Sequence, residues 1–211
     1  MSRWRSVFGS AVAALALASP AGAQTLGVEV SGAHGTNYFG GYTVGWRFDL
    51  AEDRTITHLG FYDYTGNGFG SSHDVGIFDS GGNLLVSMFL PAGMGGTMQN
   101  IFRMHALPNP YVLAAGSGYR IGGTTDVAEG FRYSVETVTA APGVTFLGGA
   151  YKDGSALSYP SNSTGSSDYF GPNFAFGSVS ATPEPISMML LGTGLAGVAG
   201  AARRRRAKSA A

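Results

Sequence analysis

Residues 192–197, GTGLAG, have the glycine spacing that opens many dinucleotide-binding folds. That chemistry needs a strand before the glycines, a helix after them and a further strand, so that backbone amides and a helix N-terminus meet a pyrophosphate. The flanking runs TPEPISMMLL and VAGAARRRR supply no strand, and the nine residues after Ala202 are too few for one. No nucleotide cofactor is expected. The other chemistry-bearing residues are scattered. His34, His58, His73 and His105 include no pair at metal-ligand spacing, and histidines flanked by aromatics in strands usually serve as core or cross-strand partners. Gly116-Ser117-Gly118 lacks the outer glycines of a nucleophile elbow and precedes a strand. A glycosidase would need two carboxylates about 5–5.5 or 6.5–9.5 Å apart across a cleft, a distance that no sequence gives. Asp63, Asn67, Asp74 and Asp79 are oxygen ligands in expected loops, as at calcium sites. They lack EF-hand spacing, and Asp and Asn are also what turns select. The expectation is therefore no catalytic residue, no metal and no cofactor, with calcium at those four residues as the alternative. Aromatic faces suit the C–H surfaces of sugar rings. Trp46 sits in an alternating run and reads as core. Tyr38, Tyr42, Tyr64 and Tyr151 lie beside glycines in expected loops and are the candidate glycan contacts.

The two ends say how the chain travels. Arg3 and Arg5, the apolar stretch Val7 to Ala18, and the small residues Ala21 and Ala23 make the three parts of a secretory signal peptide, read as residues 1–23. Signal peptidase and Sec-type export machinery are the partners this implies. From Ile186 to Ala202 seventeen residues carry no charge, about 25 Å as a helix, which predicts a transmembrane helix over 186–202. Gly192, Ala196 and Gly200 recur every four residues. Small side chains on one face let another helix approach closely, and the general abundance of small residues in such spans explains them equally. Arg203, Arg204, Arg205 and Arg206, with Lys208, form a basic tail over 203–211 that stays cytoplasmic and leaves the rest of the chain across the membrane. Residues 179–185 read as a linker and sorting motif, because Pro183 and Pro185 bracket Glu184 and hold an extended backbone outside the helix. Pro183-Glu184-Pro185, an apolar span and a terminal arginine cluster together resemble the PEP-CTERM sorting signal of Gram-negative bacteria. The resemblance implies an exosortase-like membrane enzyme that releases the chain from its tail, anchoring in the inner membrane before processing, and a final place at the cell surface or outside the cell. It also implies association with exopolysaccharide and biofilm.

The formal charge of zero conceals an acidic middle. Seven of the thirteen basic residues lie at the ends, so 24–182 holds six basic against twelve acidic residues, a net −6. Nucleic acid and anionic lipid are poor partners for such a surface. With no cysteine, stability must come from packing. Glycine at 34 of 211 residues and 12 % aromatics point to tight turns joining short aromatic-rich strands. Strands are predicted over 42–50, 54–62, 73–79, 83–90, 100–107, 111–116, 118–123, 131–138 and 144–149, with a hairpin turn at Asp79–Asn83. A polar loop follows over 155–167, then a final strand pair within 168–177. The prediction is an all-β domain over 24–178, an antiparallel β-sandwich or jelly roll. Trp46, Phe48, Leu59, Phe61, Val75, Ile77 and Leu85 are its expected core. GYTVGWRFDL, THLGFYD, GFGSSHDVGIFDSGGNLL and GSGYRIGG, over 41–123, are similar to an uncharacterised secreted β-sandwich family of bacterial surface proteins. That likeness carries a fold and a location only. Two functions follow as expectations: a non-enzymatic surface or matrix module, and, as the alternative, a secreted glycan-acting hydrolase.

Overall fold

The computed structural model describes residues 24–32, 35–128, 130–133, 137–164 and 169–177, and these form strands, turns and loops. The segments read above as signal peptide (1–23), sorting linker (179–185), transmembrane helix (186–202) and basic tail (203–211) lie outside the described residues. The strands in chain order begin with β1 (Thr25–Leu26), β2 (Val28–Ser31), β3 (Gly35–Asn37), β4 (Tyr42–Leu50) and β5 (Arg54–Tyr62). β6 (His73–Phe78), β7 (Leu84–Leu90), β8 (Thr97–Gln99), β9 (Phe102–Leu113) and β10 (Gly116–Thr124) follow. The last are β11 (Phe131–Tyr133), β12 (Thr137–Ala140), β13 (Val144–Asp153), β14 (Asn162–Ser163) and β15 (Pro172–Phe176). One sheet runs β1-β15-β5-β9-β8 and the other β14-β13-β4-β10-β6-β7, with antiparallel pairing throughout. Two short ribbons, β11 with β3 and β12 with β2, stand beside them.

The sheets face each other because β4 alternates. Val44, Trp46, Phe48 and Leu50 point inward and are buried, while Arg47 and Asp49 between them are half-buried. Trp46 donates its indole N–H to the Pro172 carbonyl at 2.9 Å, and its ring stacks on Phe174 at 5.4 Å. Phe48 lies 5.0 Å from the same Phe174. These contacts cross from the six-stranded to the five-stranded sheet, and dispersion between close-packed rings holds the layers together. Gly45 is required there, since a Cβ would fall 1.8 Å from the Ile121 carbonyl of β10.

The structure differs from the sequence reading at several elements. Residues 100–107 and 111–116 are not separate strands, because both belong largely to β9. Opposite β5, Ile56 pairs with Tyr111 and His58 with Ala106, so 107–110 bulge out between them. Pro108 and Pro110 lie in that bulge, where their missing N–H groups cost no ladder bond. The run 131–138 is divided into β11 and β12, which pair with different partners. Within 168–177 there is one named strand, β15, inserted between β1 and β5. Of the expected core, Leu85 is half-buried, because β7 is the edge strand; the other six are fully buried.

The register also fixes two poles. Thr25 pairs with Phe176, and Phe176 with Ile56, so the described ends of the domain meet at the pole where Arg54 lies 4.7 Å over the Phe176 ring. Tyr62 ends β5 at the other pole, where Tyr42 opens β4 opposite Asp153.

Candidate functional site

The second pole carries two clefts divided by the β3–β11 ribbon. Side chains alternate across an extended strand, and the segment Thr36–Phe39 obeys this. Thr36 and Tyr38 line one cleft; Asn37 and Phe39 line the other. On the partner strand Gly130 faces the first cleft and Phe131 the second.

The first cleft, about 320 Å³, is closed by the loop after β5, through Tyr62, Tyr64, Thr65, Asn67, Gly68 and Phe69. Tyr62 and Tyr64 stack in parallel at 6.3 Å, and the Tyr62 hydroxyl meets Thr36 Oγ1 at 3.1 Å. The loop is clamped by a buried ion pair. Arg103 Nε donates to Asp63 Oδ2 at 2.7 Å, with side-chain exposures of 4 % and 1 %. The same guanidinium donates to the carbonyls of Gly66 at 3.1 Å, Met94 at 3.1 Å and Gly95 at 3.3 Å. Asp63 Oδ2 also accepts from the Gly68 amide at 3.1 Å. Phe69 and Gly93 exchange backbone bonds of 3.0 and 2.9 Å. One cation thus fixes two loops against each other, and the cleft wall is preorganised.

The second cleft, about 580 Å³, is lined by Asn37, Phe39, Tyr42, Phe131, Tyr151, Asp153 and Tyr169. Tyr169 is sandwiched between Tyr151 at 5.1 Å and Phe131 at 5.6 Å, giving a ladder of three near-parallel rings. Its φ of 70° is a left-handed conformation that a tyrosine adopts at a cost of about 1–3 kcal/mol, of the kind that collects at ligand sites.

All four sequence-derived tyrosines line this pole, Tyr38 and Tyr64 in the first cleft and Tyr42 and Tyr151 in the second. Tyr38, Phe39 and Tyr64 are 61, 56 and 57 % exposed, so their rings are presented to solvent. Phe39, Phe131, Tyr169 and Asp153 were not singled out in the sequence. The alternation in TNYF was the available signal for Phe39, whereas Phe131 and Tyr169 arrive from distant strands. The oxygen ligands are dispersed. Asp63 is engaged by Arg103, Asn67 accepts from the Thr65 hydroxyl, and Asp74 sits on β6 opposite Phe89. Asp79 caps its hairpin by accepting from the Gly81 and Asn83 amides at 2.9 Å, and the hydrogen bond from the Asn83 side chain, followed by those amides, lowers its pKa. Among the described residues no three His, Asp or Glu side chains cluster as a metal site.

The three described histidines, His58, His73 and His105, all lie in strands. His73 is buried, stacks on Phe61 at 4.0 Å and donates Nδ1–H to the Thr124 carbonyl at 2.8 Å. Burial pushes its pKa below the ordinary 6.5. His58 accepts from the Gln24 amide at 2.8 Å; burial, then the neighbouring His105, lowers its pKa. His105 is lowered by burial and then by Arg103. His34 lies outside the described residues, as do Ala21, Ala23, Pro183, Glu184, Pro185 and Arg203–Arg206.

Residues 29–171 match a family described as a domain of unknown function, DUF4082. Residues 181–206 match the PEP-CTERM protein-sorting motif. That motif marks an exported protein, anchored in the membrane before an exosortase processes it. No curated protein and no solved structure matches the chain. The DUF4082 match spans more than half of the sequence, and the chain belongs to that family.

Proposed function

We propose that this DUF4082 member is a non-enzymatic surface or matrix module, delivered by its sorting motif, that holds glycan in the paired clefts of one pole. The observation that carries the reading is the gathering of rings on both sides of one ribbon: exposed Tyr38 and Tyr64 on one, exposed Phe39 with half-buried Tyr42, Tyr151 and Tyr169 on the other. Aromatic faces beside hydroxyl and amide groups offer what a sugar ring needs, stacking for its C–H face and hydrogen bonds for its edge. The matrix in question is the exopolysaccharide of a biofilm, to which the sorting route points. The hydrolase alternative requires two carboxylates across a cleft, and among the described residues the linings hold one, Asp153. That supports binding over turnover.

The test is retention of the processed chain on the source organism's exopolysaccharide, with sugar release measured in parallel. The part of retention that stacking carries should survive molar salt, since stacking is not screened as charge contacts are. Tyr38→Ala with Tyr64→Ala should abolish most of it without unfolding the domain. Sugar release lost on replacing one carboxylate would overturn the non-enzymatic reading, and absence of retention at every salt concentration would remove glycan as the ligand.

A further inference from the structure

The second cleft differs from the first in one respect that bears on its ligand. Five of its seven lining residues are aromatic, and its one charged group is the Asp153 carboxylate. Asp153 pairs directly with Tyr42 across β13 and β4, which puts their Cβ atoms about 4.5–5.5 Å apart. No ion pair or side-chain hydrogen bond engages it among the described residues. Lys152, next in the strand, alternates to the opposite face, since Tyr151 and Asp153 both line the cleft. Among the described side chains no lysine or arginine lines either cleft. Aromatic faces with a neighbouring carboxylate and no competing cation are the surroundings that attract an ammonium group, through the ring quadrupole and direct charge. The field of the whole domain has the same sign, at six basic against twelve acidic residues over 24–182. An acidic polysaccharide would meet repulsion at both levels.

We propose that the second cleft is an ammonium-binding subsite, and that the glycan held at this pole bears free amino groups, as a de-N-acetylated hexosamine polymer does. The polymer part rests on the glycan reading above; the ammonium part rests on this cleft alone. The hydroxyl- and amide-lined first cleft takes an uncharged neighbouring unit across the ribbon. Asp153 and Tyr42 receive the protonated amine, and Phe39 and the Phe131–Tyr169–Tyr151 ladder form the surrounding wall.

The full chain, purified in polyoxyethylene detergent that carries neither sugar nor ammonium, is titrated calorimetrically with three probes. These are a glucosamine oligomer, the N-acetylated oligomer of equal length, and tetramethylammonium. The expected result is that the glucosamine oligomer binds at least about ten-fold more tightly than its acetylated counterpart. Tetramethylammonium should compete with it. Asp153→Asn, a surface exchange that leaves the rings in place, should erase the preference. Raising the pH until the amine deprotonates should weaken the oligomer and not tetramethylammonium. Equal binding of both oligomers, unchanged in Asp153→Asn, overturns the ammonium subsite and leaves the glycan reading standing. Tetramethylammonium binding that depends on Asp153, without binding of either oligomer, supports the subsite and overturns the glycan reading. No binding of any probe overturns both. An unchanged far-ultraviolet circular-dichroism spectrum is the folding control for the variant.

Discussion

Replacing Arg103 by methionine should be among the most damaging single changes outside the aromatic core. The aliphatic length is kept, but Asp63 is left as a buried carboxylate, 1 % exposed, with the Gly68 amide as its remaining donor. The carbonyls of Gly66, Met94 and Gly95 lose a donor at the same time. Removing one partner of a buried ion pair costs about 3–5 kcal/mol, because the other charge stays desolvated. The exposed carbonyls regain water, so about 4 kcal/mol is the working figure, against a total stability of about 5–15 kcal/mol for a domain. At about 2–4 °C per kcal/mol, the melting temperature should fall by about 8–16 °C. Adding Asp63→Asn removes the stranded charge while an amide oxygen still accepts from Gly68, and should recover about 2 kcal/mol. Urea unfolding of the processed chain is the assay. Tryptophan occurs at 4 and 46 alone, so once the signal peptide is gone the signal comes from buried Trp46. A loss below about 1 kcal/mol in Arg103→Met, or no recovery in the double variant, would refute the clamp as an energetic element.

Phe48→Ala removes a fully buried ring packed on Phe174, Trp46 and Tyr119 and should cost about 3–5 kcal/mol by equilibrium denaturation. Gly45→Ala drives a methyl into the Ile121 carbonyl and should prevent folding, read as loss of the β circular-dichroism signal. His73, His58 and His105 all have folded-state pKa values below 6.5. The unfolded chain therefore takes up their protons first, so their stabilising effect is complete above 6.5 and is lost as the pH falls through the folded values. Denaturation midpoints should drop between neutral and acid pH, with a shallower drop in His73→Phe. Replacing Pro183, Glu184 and Pro185 together by alanine should leave the chain in the inner membrane, whereas intact mass of exported protein should show loss of Met1–Ala23 and of Arg203–Arg206.

The β4 and β5 boundaries were legible to the residue, because apolar residues alternate unbroken through 42–50, 54–62 is rich in β-branched and aromatic residues, and the turn AED separates them. Tyr38 and Tyr64 lie in a loop and a turn, as their glycine-rich surroundings suggest, whereas Tyr42 and Tyr151, also expected in loops, lie in β4 and β13. The clamp was not, since Asp63 and Arg103 lie forty residues apart and look like ordinary surface charges until the β5–β9 register joins them. β9 was misread as two strands because prolines ordinarily end strands, and nothing local says that a bulge will absorb them. The division of 131–138 was hidden for a related reason: its halves take partners, Gly35–Asn37 and Val28–Ser31, with no signal of their own in a composition rich in glycine and threonine.

The two poles have a mechanical meaning. The chain leaves β15 toward its sorting segment at the pole opposite the clefts, and from Ile56 to Tyr62 β5 spans about 20 Å between them. Under the proposed function, a polymer held at the clefts and a tether at the C-terminal end of β15 would load the domain along its strands. Pulling β15 in that direction asks its ladders to β1 and β5 to slide in shear, with all bonds resisting together. Peeling would break them one at a time. Under the proposed function, a pull between the clefts and the C-terminal end of β15 would run in the direction in which those ladders resist together.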